Sequence, residues 1–291
     1  MLKRLALFGA MALTGLTTAA GDALAQQYRS EPWQWWFQMP RSPSAERIYE
    51  FHNLILFIEV AIVIFVLGLM AYICIKFSKK KNPVPSKTTH NTLLEVIWTG
   101  VPILILIVIA VPSLKLLYFV DSHPDPDMTL KVIGNQWYWS YEYPEHGEIT
   151  FDSIMVPEED LAPGQPRLLT VDNPVVLPVD TNIRILQTSN DVIHNWAVPA
   201  LMLKTDTTPG RVNETWLSIN DEGTYYGMCS ELCGVNHGFM PIQIEAVSMA
   251  EFEAWSKRAA EEFAKDGSIL NIYAFLDEYE QSNDTLAQLA E

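Results

Sequence analysis

The stretch Met228-Cys229-Ser230-Glu231-Leu232-Cys233-Gly234-Val235-Asn236-His237-Gly238-Phe239-Met240 gathers two thiols, an imidazole and a thioether, and Pro241 follows at once. Thiolate and thioether are soft ligands and imidazole is intermediate, a set that suits copper rather than magnesium or calcium. A mononuclear blue-copper site needs one Cys, two His and a weak Met. Cys233, His237 and Met240 supply three of these, with His194 of Asp191-Val192-Ile193-His194-Asn195-Trp196 as the fourth, and Cys229 is left over. Two cysteines beside two histidines can instead bridge two copper ions, each ion taking one His, and the surplus thiol favours that reading. A Cys229–Cys233 disulfide, at home in an exported segment, leaves His194, His237 and Met240 without a shared purpose. Tetrahedral zinc gives Met240 no role. A lone Met is usually core filler, but at this spacing that is the weaker reading.

The run Cys-Ser-Glu-Leu-Cys-Gly, then His and Met, resembles the CuA motif of cytochrome c oxidase subunit II, in its bacterial, aa3-like form. Gln136-Trp137-Tyr138-Trp139-Ser140-Tyr141-Glu142-Tyr143 and Pro209-Gly210-Arg211 extend the resemblance over nearly the whole mature chain. It implies a binuclear copper centre on the side chains of His194, Cys229, Cys233, His237 and Met240 and the backbone carbonyl of Glu231. It also implies a Mg²⁺ or Mn²⁺ on the Glu231 side chain, shared with subunit I; carboxylates suit such ions, but one carboxylate is not a site.

Charge divides the chain. From Asp121 onward there are 29 acidic and 8 basic residues, a formal balance of −21, whereas the whole chain is −16. The asymmetry argues against nucleic acid and for a cationic partner meeting the C-terminal half. Cys74 lies in an apolar run and reads as a packing or lipid-facing residue. No Cys-x-x-Cys-His occurs, which argues against covalently attached haem.

Residues 1–25 read as a signal peptide: Lys3 and Arg4 precede an apolar stretch, and Ala23-Leu24-Ala25 is a small-residue cleavage pattern. Residues 26–120 then form an N-terminal segment and a two-helix membrane domain, with spans expected at about 54–75 and 96–120. Trp33, Trp35, Trp36 and Phe37 suit the bilayer interface or a neighbouring subunit. Lys76, Lys79, Lys80, Lys81 and Lys87 crowd the loop between the spans. The positive-inside rule makes that loop cytoplasmic and puts both mature ends in the periplasm of a bacterial inner membrane. Thr92-Leu93-Leu94-Glu95 has the spacing of a capping box; by resemblance Glu95 also matches the carboxylate at the cytoplasmic mouth of the K proton pathway.

Residues 121–256 change to short β-like runs: 129–143, 148–155, 167–171, 182–188, 214–219 and 241–247. This pattern predicts a Greek-key sandwich or barrel, which the resemblance sharpens to a cupredoxin domain. After Ser248 the chain is expected to turn helical, acidic and Ala-rich, with Phe252, Trp255, Ala259 and Phe263 at near-helical spacing, and residues 257–291 read as an acidic helical tail.

Trp137, Trp139, Tyr141 and Tyr143 alternate, which predicts one buried strand face. By resemblance Trp137 is instead exposed, where cytochrome c hands over its electron. The family's acidic docking patch matches Glu142, Asp152, Asp172 and Asp191. The chain is thus expected to relay electrons from a soluble or membrane-anchored cytochrome c to haem in subunit I. There oxygen is reduced and protons are pumped, with subunit III and membrane lipid as further partners. The rivals are a quinol oxidase subunit, which lacks the Cys and His ligands, and nitrous-oxide reductase, whose large second copper domain has no counterpart here. A third is a free-standing membrane-tethered cupredoxin carrier or copper chaperone.

Overall fold

The computed structural model describes residues 27–263; the expected signal peptide and most of the expected tail lie outside them. The chain begins with β1 (Gln27–Tyr28) and then two long helices, α1 (Pro43–Lys76) and α2 (Thr92–Asp121). Both are long and apolar enough to cross a membrane. Ser42 caps α1 by accepting a hydrogen bond from the Ala45 N–H at 3.0 Å, and Pro43 occupies the first turn, where its missing N–H costs nothing. In α2 the expected capping box is replaced. Asn91 is the N-cap and accepts from the Leu94 N–H at 3.1 Å, which moves Glu95 one position beyond the box and leaves its half-buried carboxyl without a capping role.

Ten further strands and one helix follow: β2 (Met128–Asn135), β3 (Tyr138–Tyr143), β4 (Ile149–Ser153), β5 (Val175–Pro178), β6 (Ile183–Ser189), β7 (His194–Val198), β8 (Leu203–Thr207), β9 (Asn213–Leu217), β10 (Gly223–Cys229), β11 (Pro241–Val247) and α3 (Met249–Glu262). One sheet runs β5-β11-β10-β7-β8, with β1 added parallel to β10; the other runs β4-β3-β2-β6-β9. Their inner faces share one core. Leu130, Trp139, Tyr141 and Ile185 of one sheet meet Trp196, Tyr225, Ile242 and Ile244 of the other. The Trp196 indole N–H donates to the Tyr141 hydroxyl at 3.1 Å and the Trp139 indole N–H to the Met240 carbonyl at 3.2 Å, so the buried polar tips of these aromatics are paired. The result is the expected cupredoxin-like sandwich after two apolar helices.

Two details differ from the sequence reading. The run 129–143 is a hairpin whose turn is Gln136-Trp137. The run 167–171 is not a strand: Leu168 takes a positive φ of 64°, and only Val171 makes a bridge, to Met155. Helix α3 begins directly after Ser248, where the sequence is expected to turn helical, and runs across the expected domain end at 256. A reciprocal Ser248–Glu251 capping box starts it, and Phe252 and Ala259 are buried in the sandwich core.

The β domain sits on the helices through short polar contacts. The Arg41 N–H donates to the Ala200 carbonyl, the Ser42 hydroxyl to the Leu201 carbonyl, and the Trp216 indole N–H to the Val120 carbonyl. Arg41 also pairs with Asp221 at 2.9 Å.

Candidate metal centre

Strands β10 and β11 pair antiparallel with Met228 opposite Pro241, which brings Cys229 at the end of one strand beside Met240, just before the other. On its other edge β10 pairs with β7, Cys229 lying opposite Trp196, and β7 opens with His194. The approach is tight: a Cβ at Gly227 would stand 2.1 Å from the Ala197 carbonyl oxygen, so only glycine lets the two strands meet there. A Cβ at Gly134 on β2 would likewise lie 2.8 Å from the His194 ring. The loop between Cys229 and Met240 then folds Cys233 and His237 inward, and Gly234, at a φ of 119°, makes its turn.

These constraints gather the expected donors. The two thiol sulfurs are 3.8 Å apart, and both cysteines are free. Cys229 Sγ lies 4.0 Å from His194 Nδ1 and 3.3 Å from the Glu231 carbonyl oxygen. Cys233 Sγ lies 3.5 Å from His237 Nδ1 and 3.6 Å from Met240 Sδ. His194 thus approaches Cys229 and His237 approaches Cys233, with His237 also in reach of Cys229. A soft ion bonded to sulfur at about 2.3 Å can touch two sulfurs up to about 4.6 Å apart. The donor set thus fits copper ions shared between the two thiolates. His194, Cys229, Cys233 and Met240 are buried, while His237 is half-buried and the Glu231 side chain is exposed.

The surroundings orient the donors. The second nitrogen of His194, Nε2, sits 2.8 Å from Asp191 Oδ1, which directs Nδ1 at the sulfurs. Burial pushes the Asp191 carboxyl up, but hydrogen bonds from His194 and from the Val192 and Gln136 N–H groups outweigh it and hold it below the usual range. Burial also opposes ionisation of Cys229; hydrogen bonds from His194 and from the Asn195 backbone overcome it and bring the thiol down to about 7. Cys233 is pushed up to about 12 by burial and by the neighbouring Cys229 charge. Without a cation the pair thus holds one thiolate more readily than two.

Trp137 is half-buried in the β2–β3 turn, outside either strand, so the alternation that buries Trp139 and Tyr141 does not reach it. Its indole N–H donates to the Cys233 carbonyl at 3.2 Å, and the Gln136 side-chain amide donates to the same oxygen at 2.8 Å. The sequence reading missed Gln136, since nothing in its type marks it as a neighbour of the copper loop. Asp191 and Asp152 both lie near Tyr138. Burial first, and then these two charges, raise the Tyr138 hydroxyl above its ordinary value. Asp152 and Asp172 are exposed and joined through Asn173, whose amide donates to the Asp152 carbonyl and whose N–H donates to the Asp172 carboxylate. Glu142 does not belong with them. Its side chain is 2% exposed on β3, a strand flanked by β2 and β4, and faces Lys131 of β2 at 3.7 Å, so it cannot present charge to a docking protein.

An apolar two-helix anchor bearing a cupredoxin-like sandwich with a thiol-rich soft-ligand site at one end defines a membrane-bound copper protein. The family models for the periplasmic and the transmembrane domain of cytochrome c oxidase subunit II match residues 128–247 and 30–116. The chain is 54% identical to the "Probable cytochrome c oxidase subunit 2" of Rickettsia bellii over 77% of this chain and 83% of the relative. It is 50% identical to cytochrome c oxidase subunit 2 of Phytophthora megasperma over 78% of this chain and 88% of the relative. Among solved structures it resembles the periplasmic domain of subunit II of the cytochrome oxidase of Bradyrhizobium japonicum, at 49% identity, over 49% of this chain and 99% of that one, with a TM-score of 0.46. The chain belongs to the cytochrome c oxidase subunit II family. It is a subunit of an oxidase complex, with two apolar helices in the membrane and the sandwich outside it.

Proposed function

We propose that the chain takes electrons from a cytochrome c and passes them to haem in subunit I of its oxidase, where oxygen is reduced to water with proton pumping. The observation that carries this reading is the convergence of His194, Cys229, Cys233, His237, Met240 and the Glu231 carbonyl, drawn from separate segments, at one end of the sandwich. Bound there, binuclear copper supplies one-electron chemistry with little change of geometry. The residues do the rest. Burial of His194, Cys229, Cys233 and Met240 excludes water from the site, and a metal held by this full donor set would have little room for a substrate. Asp191 fixes the His194 ring.

Trp137 is the natural point of electron uptake. It reaches from the surface to the Cys233 carbonyl, and Asp152, Asp172 and Asp191 form an acidic rim that steers a basic partner. The exposed Glu231 carboxylate would hold Mg²⁺ or Mn²⁺ together with ligands from subunit I. Glu95, freed from capping, would stand at the mouth of the K proton pathway. In this reading the sandwich lies in the periplasm of a bacterial inner membrane, with subunit III and lipid beside the helices.

The test is cytochrome c oxidation by the assembled oxidase carrying Trp137→Ala. The rate of electron uptake should fall by at least about tenfold, equivalent to ~1.4 kcal/mol of barrier, with the copper spectrum unchanged. An unaltered rate would make Trp137 a packing residue and move electron uptake elsewhere.

A further inference from the structure

Where α1 and α2 approach the β domain, their outer ends leave a groove of about 310 Å³. Arg47, Glu50 and Lys115 line it with Phe51, Leu54 and Leu116. We propose that this groove binds one anionic phospholipid of the leaflet next to the β domain, its phosphodiester held between Arg47 and Lys115.

Depth is the first argument. On α2 the charge-free run 96–114 spans about 28 Å at 1.5 Å per residue, close to the hydrocarbon thickness of about 30 Å. Lys115 follows it directly, at the height where phosphates lie. On α1 the apolar run begins at Leu54, and Arg47 stands seven residues, about 10 Å, above it. The groove therefore opens from the headgroup layer down to the first acyl carbons, and its apolar walls continue into the lipid-facing surface of both helices.

Charge is the second. Among the described residues neither Arg47 nor Lys115 takes part in an ion pair, although Arg41 on the same side is bound to Asp221. With Glu50 the groove carries a net positive charge. The Arg47 guanidinium stacks over the Phe119 ring at 3.5 Å, which leaves the in-plane N–H groups of its fork for a phosphate. The chain from Asp121 onward carries a formal balance of −21 and is repelled by an anionic bilayer surface. Two unpaired cations at headgroup depth offset that repulsion where it is strongest. A protein loop in the same place would have to bring an acidic group to the edge of the hydrocarbon layer, whereas a phospholipid already has its phosphate above and its chains below.

The test uses the whole oxidase complex in detergent, titrated with phosphatidylglycerol or phosphatidylcholine and read by native mass spectrometry. The wild-type complex should retain one more phosphatidylglycerol than the Arg47→Gln/Lys115→Gln double variant. Its affinity there should be roughly thirtyfold higher, on the basis of about 1 kcal/mol per basic residue at the surface. Arg47→Lys/Lys115→Arg should retain most of the binding, and copper content should be the same in all three. Equal retention of the two lipids by the wild type, or no difference between the wild type and the double variant, would overturn the proposal. So would a chemical cross-link from Lys115 to another oxidase subunit with no lipid retained, which would mean that protein covers the groove.

Discussion

The sandwich and the membrane helices use their apolar residues in opposite ways. Trp139, Tyr141, Trp196, Tyr225 and Ile242 are sealed inside one core, and the sandwich needs nothing further to be complete. In α1 and α2 the side chains of Ile64, Phe65, Leu104 and Leu106 are more than half exposed, and Ala45 is the one buried residue in either helix. Lipid and partner subunits must cover the rest, because helices packed in a membrane gain nothing from leaving water. One half of the chain encodes a self-sufficient scaffold for a site. The other encodes depth and attachment.

The sharpest way to break this contrast is the same substitution in both halves. Gly227→Ala forces a methyl group against the Ala197 carbonyl at the β7–β10 pairing that carries Cys229 and His194. Overpacking of this kind costs about 1–3 kcal/mol or more. It should lower the unfolding midpoint of the sandwich and deplete its copper. Gly68→Ala meets nothing within 4 Å and should leave both unchanged, with a small gain in helix propensity of up to ~1 kcal/mol. Equal damage from both, followed by denaturant unfolding and copper analysis, would mean that the helices are as self-contained as the sandwich.

Within the site end, two carboxylates that look alike in sequence should separate. Asp172→Asn should raise the KM for cytochrome c severalfold at low ionic strength and little at high, since only exposed charge is removed. Asp191→Asn should do the same and also shift the copper spectrum at all salt concentrations, because Asp191 holds His194. Identical behaviour of the two would remove Asp191 from the orienting role.

The smallest effect lies at the helix that joins the sandwich. Ser248→Ala removes a capping box and should cost about 1 kcal/mol. The Glu251 carboxyl is held below its ordinary value by hydrogen bonds from the Ser248 side chain and backbone. A folded value below the unfolded one gives a contribution that is present above the ordinary carboxyl range and lost as the pH falls through the lowered value. The difference between wild type and variant, followed by thermal unfolding, should therefore shrink on acidification below that range. A constant difference would assign the stability to packing of Phe252 instead.

The two halves were also unequally legible in the sequence. Long apolar runs mark α1 and α2 without any knowledge of neighbours, though their ends depend on single caps, and Asn91 rather than Thr92 starts α2. The soft donors that converge at the site end were readable because such residues at short spacing have few other uses. Strands β7 and β10, which position them, were not. All five residues of β7 are buried, so no alternation marks it, and β10 contains two glycines. Glu142 was misread for a related reason: a carboxylate in sequence carries no sign of the Lys131 opposite it on the neighbouring strand. Trp137 went the other way, since its place in a turn removes it from the periodicity of its neighbours.

The most direct test of the account is electron paramagnetic resonance of the full-length, detergent-solubilised chain after copper loading and oxidation. Two adjacent thiols flanked by two imidazoles predict a hyperfine pattern from one unpaired electron shared equally over two copper nuclei, and Cys229→Ser or Cys233→Ser should abolish it. A pattern from a single copper nucleus in the wild-type protein, unchanged in Cys229→Ser, would contradict the account and leave a mononuclear cupredoxin in its place.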